Sequence, residues 1–578
     1  MKNNDLVIRR KKLIEVSIPL DCINSACALE KQPGIGTHPR SLHLWWARRP
    51  LSAARAVIFC QCVDDPSSIP EEFPTKEKQE KERLRLFSIL QNLLDWKNFN
   101  KLEILEQGRE EIFKSWQRCC KDNKNHPDSD ELFNPNKMPD FHDPFAGGGA
   151  LPLEAQRLGF KSNASDLNPV AVLINKTMIE IPSQFNNMPS LCSSFKLENK
   201  LLEKSFTGAK GLAEDIRFYG EWMQNEAQKL IGDLFPSITI EDSIIEDCEE
   251  LKNYRNKKIE ILSWIWVRTV NSPNPAFRNV KVPLASSFLL CTKKGKQFYV
   301  EPLIIENSIK FVVKSGQPKN FKEIKNGTKL SRNSFRCLIS GDLINSDYIK
   351  AESLEGRLEN KLMAIVCKGP RGRIYLSPSK SQEIIAEKAF LKWDPEQKMN
   401  RQTTDLVSGR GYGFFKWSEL FTKRQLLALC TFSDLLVKVK NKIELDLNKL
   451  SNKEKYKPLI GSKTSSSISY QDALITYLSF AISRLADYNS SITTWKPSGE
   501  QVMQTFKRQA IPMTWDFPES NILGDSSICW KNCVKYISDN INSIASNKSY
   551  PGSATQADAQ TQNISLNKIV STDPPYFD

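Results

Sequence analysis

The sequence predicts an α/β protein built on a parallel, Rossmann-like sheet that is interrupted by a large α+β insertion. Three observations predict it. Residues 139–181, "PDFHDPFAGGGALPLEAQRLGFKSNASDLNPVAVLINKTMI", read as strand, Gly-rich turn, helix, strand, turn, helix. That is the alternation of parallel strands joined by helices. An acidic residue, Asp166, follows Asp143 by 23 positions at the end of the second predicted strand, where a Rossmann-type fold grips ribose hydroxyls. The final stretch, "SLNKIVSTDPPYFD", is a short apolar strand running into a Pro-Pro turn.

Taken in order, the chain begins with residues 1–70, where the segment from Leu51 to Cys62 predicts a buried helix opening just after Pro50. Residues 71–135 are charge-rich, with helical apolar spacing at Leu84, Leu86, Ile89, Leu90, Leu93 and Leu94, and predict a solvated helical hairpin. Residues 136–185 carry the strand–turn–helix alternation, and 186–400 form the insertion, helical near 196–232 and strand-rich over 259–380. Residues 401–545 return to long amphipathic helices, the Ser/Asn/Gln/Ala-rich stretch 546–565 predicts a linker, and 566–578 hold the last strand and its motif.

The composition bounds the function. At 578 residues the chain is too long for one core. It has no apolar run long enough to span a bilayer and no secretory h-region. Its 14 cysteines therefore predict free thiols in a reducing, cytoplasmic setting. The net charge of +14 favours a polyanionic partner, nucleic acid being the simplest. A soluble protein that is merely basic is the alternative.

Two motifs carry chemistry. In "DPFAGGGA" the glycines let backbone approach a ligand, and the following helix offers free amides. The spacing is not G-x-G-x-x-G, which disfavours a dinucleotide. A tight turn with a purely structural Asp166 is the alternative. The second motif is Asp573-Pro574-Pro575-Tyr576. An exocyclic amine methylates poorly because its lone pair is delocalised into the ring. A carboxylate and a carbonyl that accept its two N–H bonds turn that lone pair towards a methyl donor. Two prolines fix the backbone that aims the carbonyl, and the Tyr ring offers a face on which an extruded base stacks. By average residue usage this four-residue string arises in roughly one chain in a few hundred of this length.

With the motifs in this order, the chain resembles the amino-group DNA methyltransferases. More closely it resembles the adenine-specific DNA methylases with a zinc ribbon and an uncharacterised N-terminal domain. The strings "HPRSLHLWWARRPLSAARAVIFCQCVDDPS", "GYGFFKWSELFTKRQLLALCTFSDLL", "ISRLADYNSSITTWKPSGEQVMQTFKRQAIPMTWDFPE" and "STDPPYFD" carry the likeness. The resemblance implies S-adenosyl-L-methionine as donor, DNA as partner and adenine N6 as target, with cytosine N4 and RNA as alternatives. It implies that Asp143, Pro144, Phe145, Ala146, Gly147, Gly148 and Gly149 wrap the donor, with Asp166 and Asn168 at its ribose. It implies that Asp573, Pro574, Pro575 and Tyr576 form the amine pocket, and that the stretch "THPRSLHLWWARRPL" helps enclose the methionine end. Trp45 and Trp46 read as core residues, and Arg48 and Arg49 as phosphate contacts or solvated charge.

The chain departs from that family twice. Where zinc-ribbon cysteines are expected stand Ser272, Phe277, Cys337 and Ser340, one thiol in place of four. We therefore expect a ribbon-like β region without metal, the alternative being a site completed by Cys291 or Cys367. And "DPPY" comes last, where the family continues through further strands. The expectation is a truncated or split catalytic domain, with a second chain as the candidate source of the missing strands. A non-catalytic nucleic-acid-binding remnant is the competing reading.

Overall fold

A computed structural model describes residues 7–32, 38–39, 42–192, 206–247, 249–369, 372–400, 407–460, 468–507, 510–544 and 550–574. The chain is mixed α/β and forms two compact units. Unit 1 comprises residues 1–218, 442–480 and 536–578; unit 2 comprises 219–441 and 481–535. The seven stretches drawn from composition thus regroup into two discontinuous bodies, and the N-terminal 70 residues belong to the same unit as the Gly-rich turn.

After a short helical turn at Leu13–Val16, unit 1 has helices α1 (Leu20–Glu30), α2 (Leu51–Cys62), α3 (Lys76–Leu94) and α4 (Leu102–Asp122). Helix α2 starts after Pro50, as predicted, and buries nine residues, Leu51, Ala54, Ile58 and Phe59 among them. Its first amides are capped by a carboxylate from α1: Glu30 accepts from Leu51 N at 2.8 Å and from Ser52 N at 2.9 Å. Such a cap supplies partners that a helix N-terminus otherwise lacks. Helix α3 is capped by Thr75, which accepts from Lys78 N, and buries Leu86, Leu90, Leu93 and Leu94. Helix α4 packs on it through Gly108, where an added Cβ would lie 2.9 Å from Leu93 Cδ1.

Four strands follow: β1 (Phe141–Asp143), β2 (Ser162–Asp166), β3 (Ser553–Gln556) and β4 (Ile569–Val570). Helix α5 (Ala150–Arg157) lies between β1 and β2, and α6 (Pro169–Asn175) follows β2. All pairings are parallel and the order is β3-β2-β1-β4. Phe141, Leu158 and Phe160 pack with Phe59 of α2 and the leucines of α3 in one core, where burying each large side chain contributes about 1.5–3 kcal/mol. A buried Arg55–Glu154 pair, at 2.5 and 3.0 Å, ties α2 to α5.

Strand β3 corrects the linker drawn over 546–565. "SATQ" has one β-branched residue, Thr555, and no apolar alternation, so little local marks it as a strand. Its place comes from its partner: Ser553 to Gln556 pair residue by residue with Asn163 to Asp166. Ser553 Oγ donates to Asn163 Oδ1 at 2.8 Å, and Ala554 N donates to Glu180 at 3.1 Å.

Unit 2 holds the strand-rich insertion. Its central strand, Ile261–Asn271, is buried over ten of eleven residues. It pairs antiparallel with Glu359–Gly369, Lys281–Pro283 and Asp516–Ser520. The last of these lies in the stretch read as helical, 401–545, and corrects it. A three-stranded meander, Leu289–Lys293, Lys296–Ile305 and Ser308–Ser315, packs into the same core. In the stretch expected to be ribbon-like, Ser272 Oγ and Cys337 Sγ meet at 3.4 Å, while Cys291 and Cys367 are fully buried. Among the described residues no cluster of three or more His, Cys, Asp or Glu is placed to hold a metal, and no helix is long and apolar enough to cross a membrane.

Candidate functional site

Parallel strands run their carboxyl ends to one edge of a sheet, so residues far apart in sequence meet there. In unit 1 that edge collects Asp143 from β1, Asp166 from β2 and, just beyond β4, Thr572 and Asp573.

The Gly-rich turn is held from several sides. Phe145 N donates to Asp143 Oδ1 at 3.0 Å, Ala146 N to Ser165 O at 3.0 Å and Gly147 N to Asp166 Oδ2 at 2.9 Å. Gly147 and Gly149 have φ of 47° and 77°, the left-handed region that glycine enters without a Cβ penalty. A Cβ on Gly149 would collide with Met178 Cε, and one on Gly147 would lie 2.7 Å from Trp45 Nε1. The turn therefore sits between α6, whose Asn175 donates to Gly147 O at 3.1 Å, and the indole of Trp45.

Asp166 is partly exposed and accepts from Asn168 N at 2.8 Å as well as from Gly147. Each oxygen keeps a lone pair for a further donor. Asn168 is exposed and caps α6, its Oδ1 accepting from Val170 N at 2.9 Å. Beside them Leu167, 68% exposed, and Phe145, 38% exposed, present apolar surface.

The terminal motif is anchored to β1. Thr572 Oγ1 donates to Asp143 Oδ1 at 2.6 Å, Ile569 N donates to Asp140 O at 2.9 Å, and Gln61 of α2 donates to Val570 O at 2.9 Å. Asp573 accepts from Arg49 Nε in an ion pair. Pro574 is exposed; Pro575 and Tyr576 lie outside the described residues.

The edge is electrostatically loaded. Burial pushes the Asp143 carboxyl up to about 6; its bonds from Thr572 and Phe145 N partly oppose that, and the charges of Asp166 and Asp573 add to it. Next to it His142, with no exposed surface, bridges Ser565 and Ser165 at 2.8 and 3.0 Å. Burial, then the charge of Lys568, lowers it to about 4.

The structure thus brings Asp143, the turn, Asp166 and Asp573 together. It corrects the core assignment of Trp46, which is 55% exposed, and of Trp45, which is half-buried against the turn. Arg49 is neither a bare solvated charge nor committed to phosphate, since it holds Asp573. Sequence reasoning missed this pairing and the roles of Thr572 and Asn175. The run "WWARRP" was the available signal for Arg49; nothing local pointed to the others.

One comparison bears on the chain. A family described as "Protein of unknown function (DUF1156)" matches residues 17–89, a stretch that holds α1, α2, most of α3, Trp45 and Arg49. No curated protein and no solved structure matches the chain.

Proposed function

We propose that this chain is an S-adenosyl-L-methionine-dependent amino-methyltransferase acting on a DNA base, most simply adenine N6, in the cytoplasm. One observation carries the proposal: the Gly-rich turn, Asp166 and Asp573 converge at the carboxyl ends of β1, β2 and β4 in a sheet of order β3-β2-β1-β4. In the order 3-2-1-4-5-6 of a Rossmann-like sheet, the same 3-2-1-4 run crosses the switch point between strands 1 and 4, and ligands of such sheets bind outside the strand ends at that point. The basic charge supports a nucleic-acid partner.

The residues present fit the donor. Asp166 is partly exposed with lone pairs left for two hydroxyls, and Leu167 and Phe145 offer apolar faces to a flat ring, while the space beside Gly147 and Gly148 is filled by Trp45. When bound, the donor supplies an electrophilic methyl group on a sulfonium. The protein's part is to place an amine in line with it. Asp573 accepts one N–H of that amine and draws its lone pair out of conjugation. The amine nitrogen would form the new C–N bond as the methyl–sulfur bond breaks with its electron pair left on sulfur, and its surplus proton would pass to water at the partly exposed Asp573. Catalysis of this kind rests on positioning and on acceptors already in place.

Calorimetric titration with S-adenosylhomocysteine tests the pocket. Binding is expected, and Asp166→Ala is expected to weaken it at least tenfold. No heat at millimolar ligand would remove the donor pocket. Labelled methyl transfer followed by nucleoside digestion tests the substrate. Label in N6-methyladenine is the expected outcome, label in RNA would move the substrate class, and DNA binding without transfer would favour a non-catalytic nucleic-acid-binding protein.

A further inference from the structure

Asp573 stands beyond the last strand pairing. The final backbone bond of β4's extension runs from Ser571 N to His142 O at 3.4 Å, and the Thr572 hydroxyl is the last anchor before it. A carboxylate at such a place has rotamers to lose when a ligand orders it. Transfer chemistry asks for placement within about half an ångström.

Arg49 meets that need from a rigid base. It stands one residue before Pro50, and α2 begins directly after. The start of α2 is pinned by the buried Glu30 carboxylate, and its last turn reaches Val570 through Gln61. Helix α2 therefore contacts β4 and the segment beyond it from both of its ends. The Arg49 contact uses Nε and only one carboxylate oxygen, Oδ2. Among the described residues, Oδ1 of Asp573 receives no hydrogen bond.

We propose that Arg49 is a positioning residue for Asp573: it holds Oδ2 and so presents Oδ1 to the N–H of the incoming amine. This rests on the methyltransferase reading and adds to it a role for the "WWARRP" segment at the acceptor rather than only at the donor. As a contribution to stability the pair is minor, because Arg49 is 48% and Asp573 37% exposed, and water screens such exposed pairs. Removing it should therefore leave the fold intact.

The test uses the full chain with Arg49→Ala, Arg49→Lys, Asp573→Ala and the double variant R49A/D573A. Arg49→Ala is expected to lower kcat for methyl transfer by about ten- to a hundredfold, with the dissociation constant for S-adenosylhomocysteine changed less than twofold. Arg49→Lys should recover part of the loss, and the double variant should be no slower than Asp573→Ala alone. Unchanged kcat, a loss that falls on donor affinity, or multiplying defects would overturn the positioning role. A second readout is independent of activity: in the Arg49→Lys variant, a carbodiimide should join the introduced amine to the Asp573 carboxylate, mapped by mass spectrometry. If wild type transfers no methyl group although the link forms in the variant, the methyltransferase reading has failed and the role with it. If the link does not form, the pairing itself has failed.

Discussion

The helical pair α3–α4 in unit 1 and the meander region 289–336 in unit 2 are both rich in Lys and Arg, yet they treat those charges in opposite ways. In the helical pair the arginines and Lys114 are answered by acids, while Lys76, Lys78, Lys81 and Lys121 make no ion pair with another described residue. Arg83 pairs with Asp65 and Glu80, Arg85 with Glu82 and Glu111, Arg109 with Glu106, and Lys114 with Glu111. In the meander region Lys293 and Lys296 share Glu500. There Lys294, Lys310, Lys314, Lys319, Lys322, Lys325, Arg332 and Arg336 are exposed, or nearly so, and make no ion pair with another described residue. A basic pI does not say which cations are available. Those already paired serve the fold, and those left open in unit 2 are the ones a phosphate backbone can neutralise.

The sharpest way to test the structural half of that contrast is to unpair a buried cation. Arg55 and Glu154 are 3% and 0% exposed. Glu154→Ala leaves a guanidinium buried without its carboxylate, which costs about 3–5 kcal/mol. Thermal or denaturant unfolding should show unit 1 losing most of its stability. A shift below about 1 kcal/mol would mean that Arg55 escapes to water and that the pair does not hold α2 on α5.

Asp143 is a third kind of charge, a buried carboxyl with no cation beside it among the described residues. Its ordinary value near 3.8 rises to about 6. Raised in the folded state, it contributes stability that is complete below about 3.8 and is lost as pH rises through about 6. His142 runs the other way. Lowered from 6.5 to about 4, it contributes stability above 6.5 that is lost as pH falls through about 4. Over the same window the two neighbours on β1 oppose each other. Asp143→Asn keeps the acceptor for Thr572 and Phe145 and should stabilise the protein at neutral pH by up to about 3 kcal/mol. It should also leave a curve that only declines on acidification. A melting series from pH 4 to 7 that is unchanged by the substitution would show that Asp143 is not strained by burial.

These particulars also show what local sequence reveals. The turn and its two acids were legible because glycine admits left-handed backbone that other residues avoid, and three together mark a close approach. Helix α3 was legible from apolar spacing, α2 from its apolar run after Pro50, and α4 only as the second arm of the expected hairpin. Strand β3 was not, because "SATQ" is made a strand by the edge of β2 rather than by its own side chains. The Arg49–Asp573 pair was not, because its members are 524 residues apart and no local pattern links them. The two units were not, because the chain enters and leaves each more than once, so composition shifts do not coincide with boundaries.

The functional half of the comparison is tested at the meander. Lys310 and Lys314 lie on one strand at positions that leave both exposed, opposite Leu303 and Tyr299. If unit 2 meets the phosphate backbone there, the double variant Lys310→Glu/Lys314→Glu should weaken DNA binding about ten- to a hundredfold at low salt. It should also reduce the slope of log affinity against log salt by roughly two. Stability should stay within about 0.5 kcal/mol, as for other surface changes. An unchanged salt slope would move the nucleic-acid surface elsewhere.

The smallest expected effect is the one that can break the contrast. Arg85 is 47% exposed and makes contacts of 2.6 Å to Glu82 and 3.0 Å to Glu111, both acids more buried than itself. Half in water, it gains little Coulomb energy and must order a long side chain to do so. Arg85→Ala should therefore cost less than about 1 kcal/mol, most of it regained in a double-mutant cycle with Glu82→Ala, since removing both partners leaves no unpaired charge. Because its charge is already spent within the protein, its loss should change DNA affinity less than twofold and leave the salt slope as it was. A fall in affinity matching that of the meander variant would show that α3–α4 cations are also seen by phosphate. Pairing in the free chain would then be no guide to which charges bind.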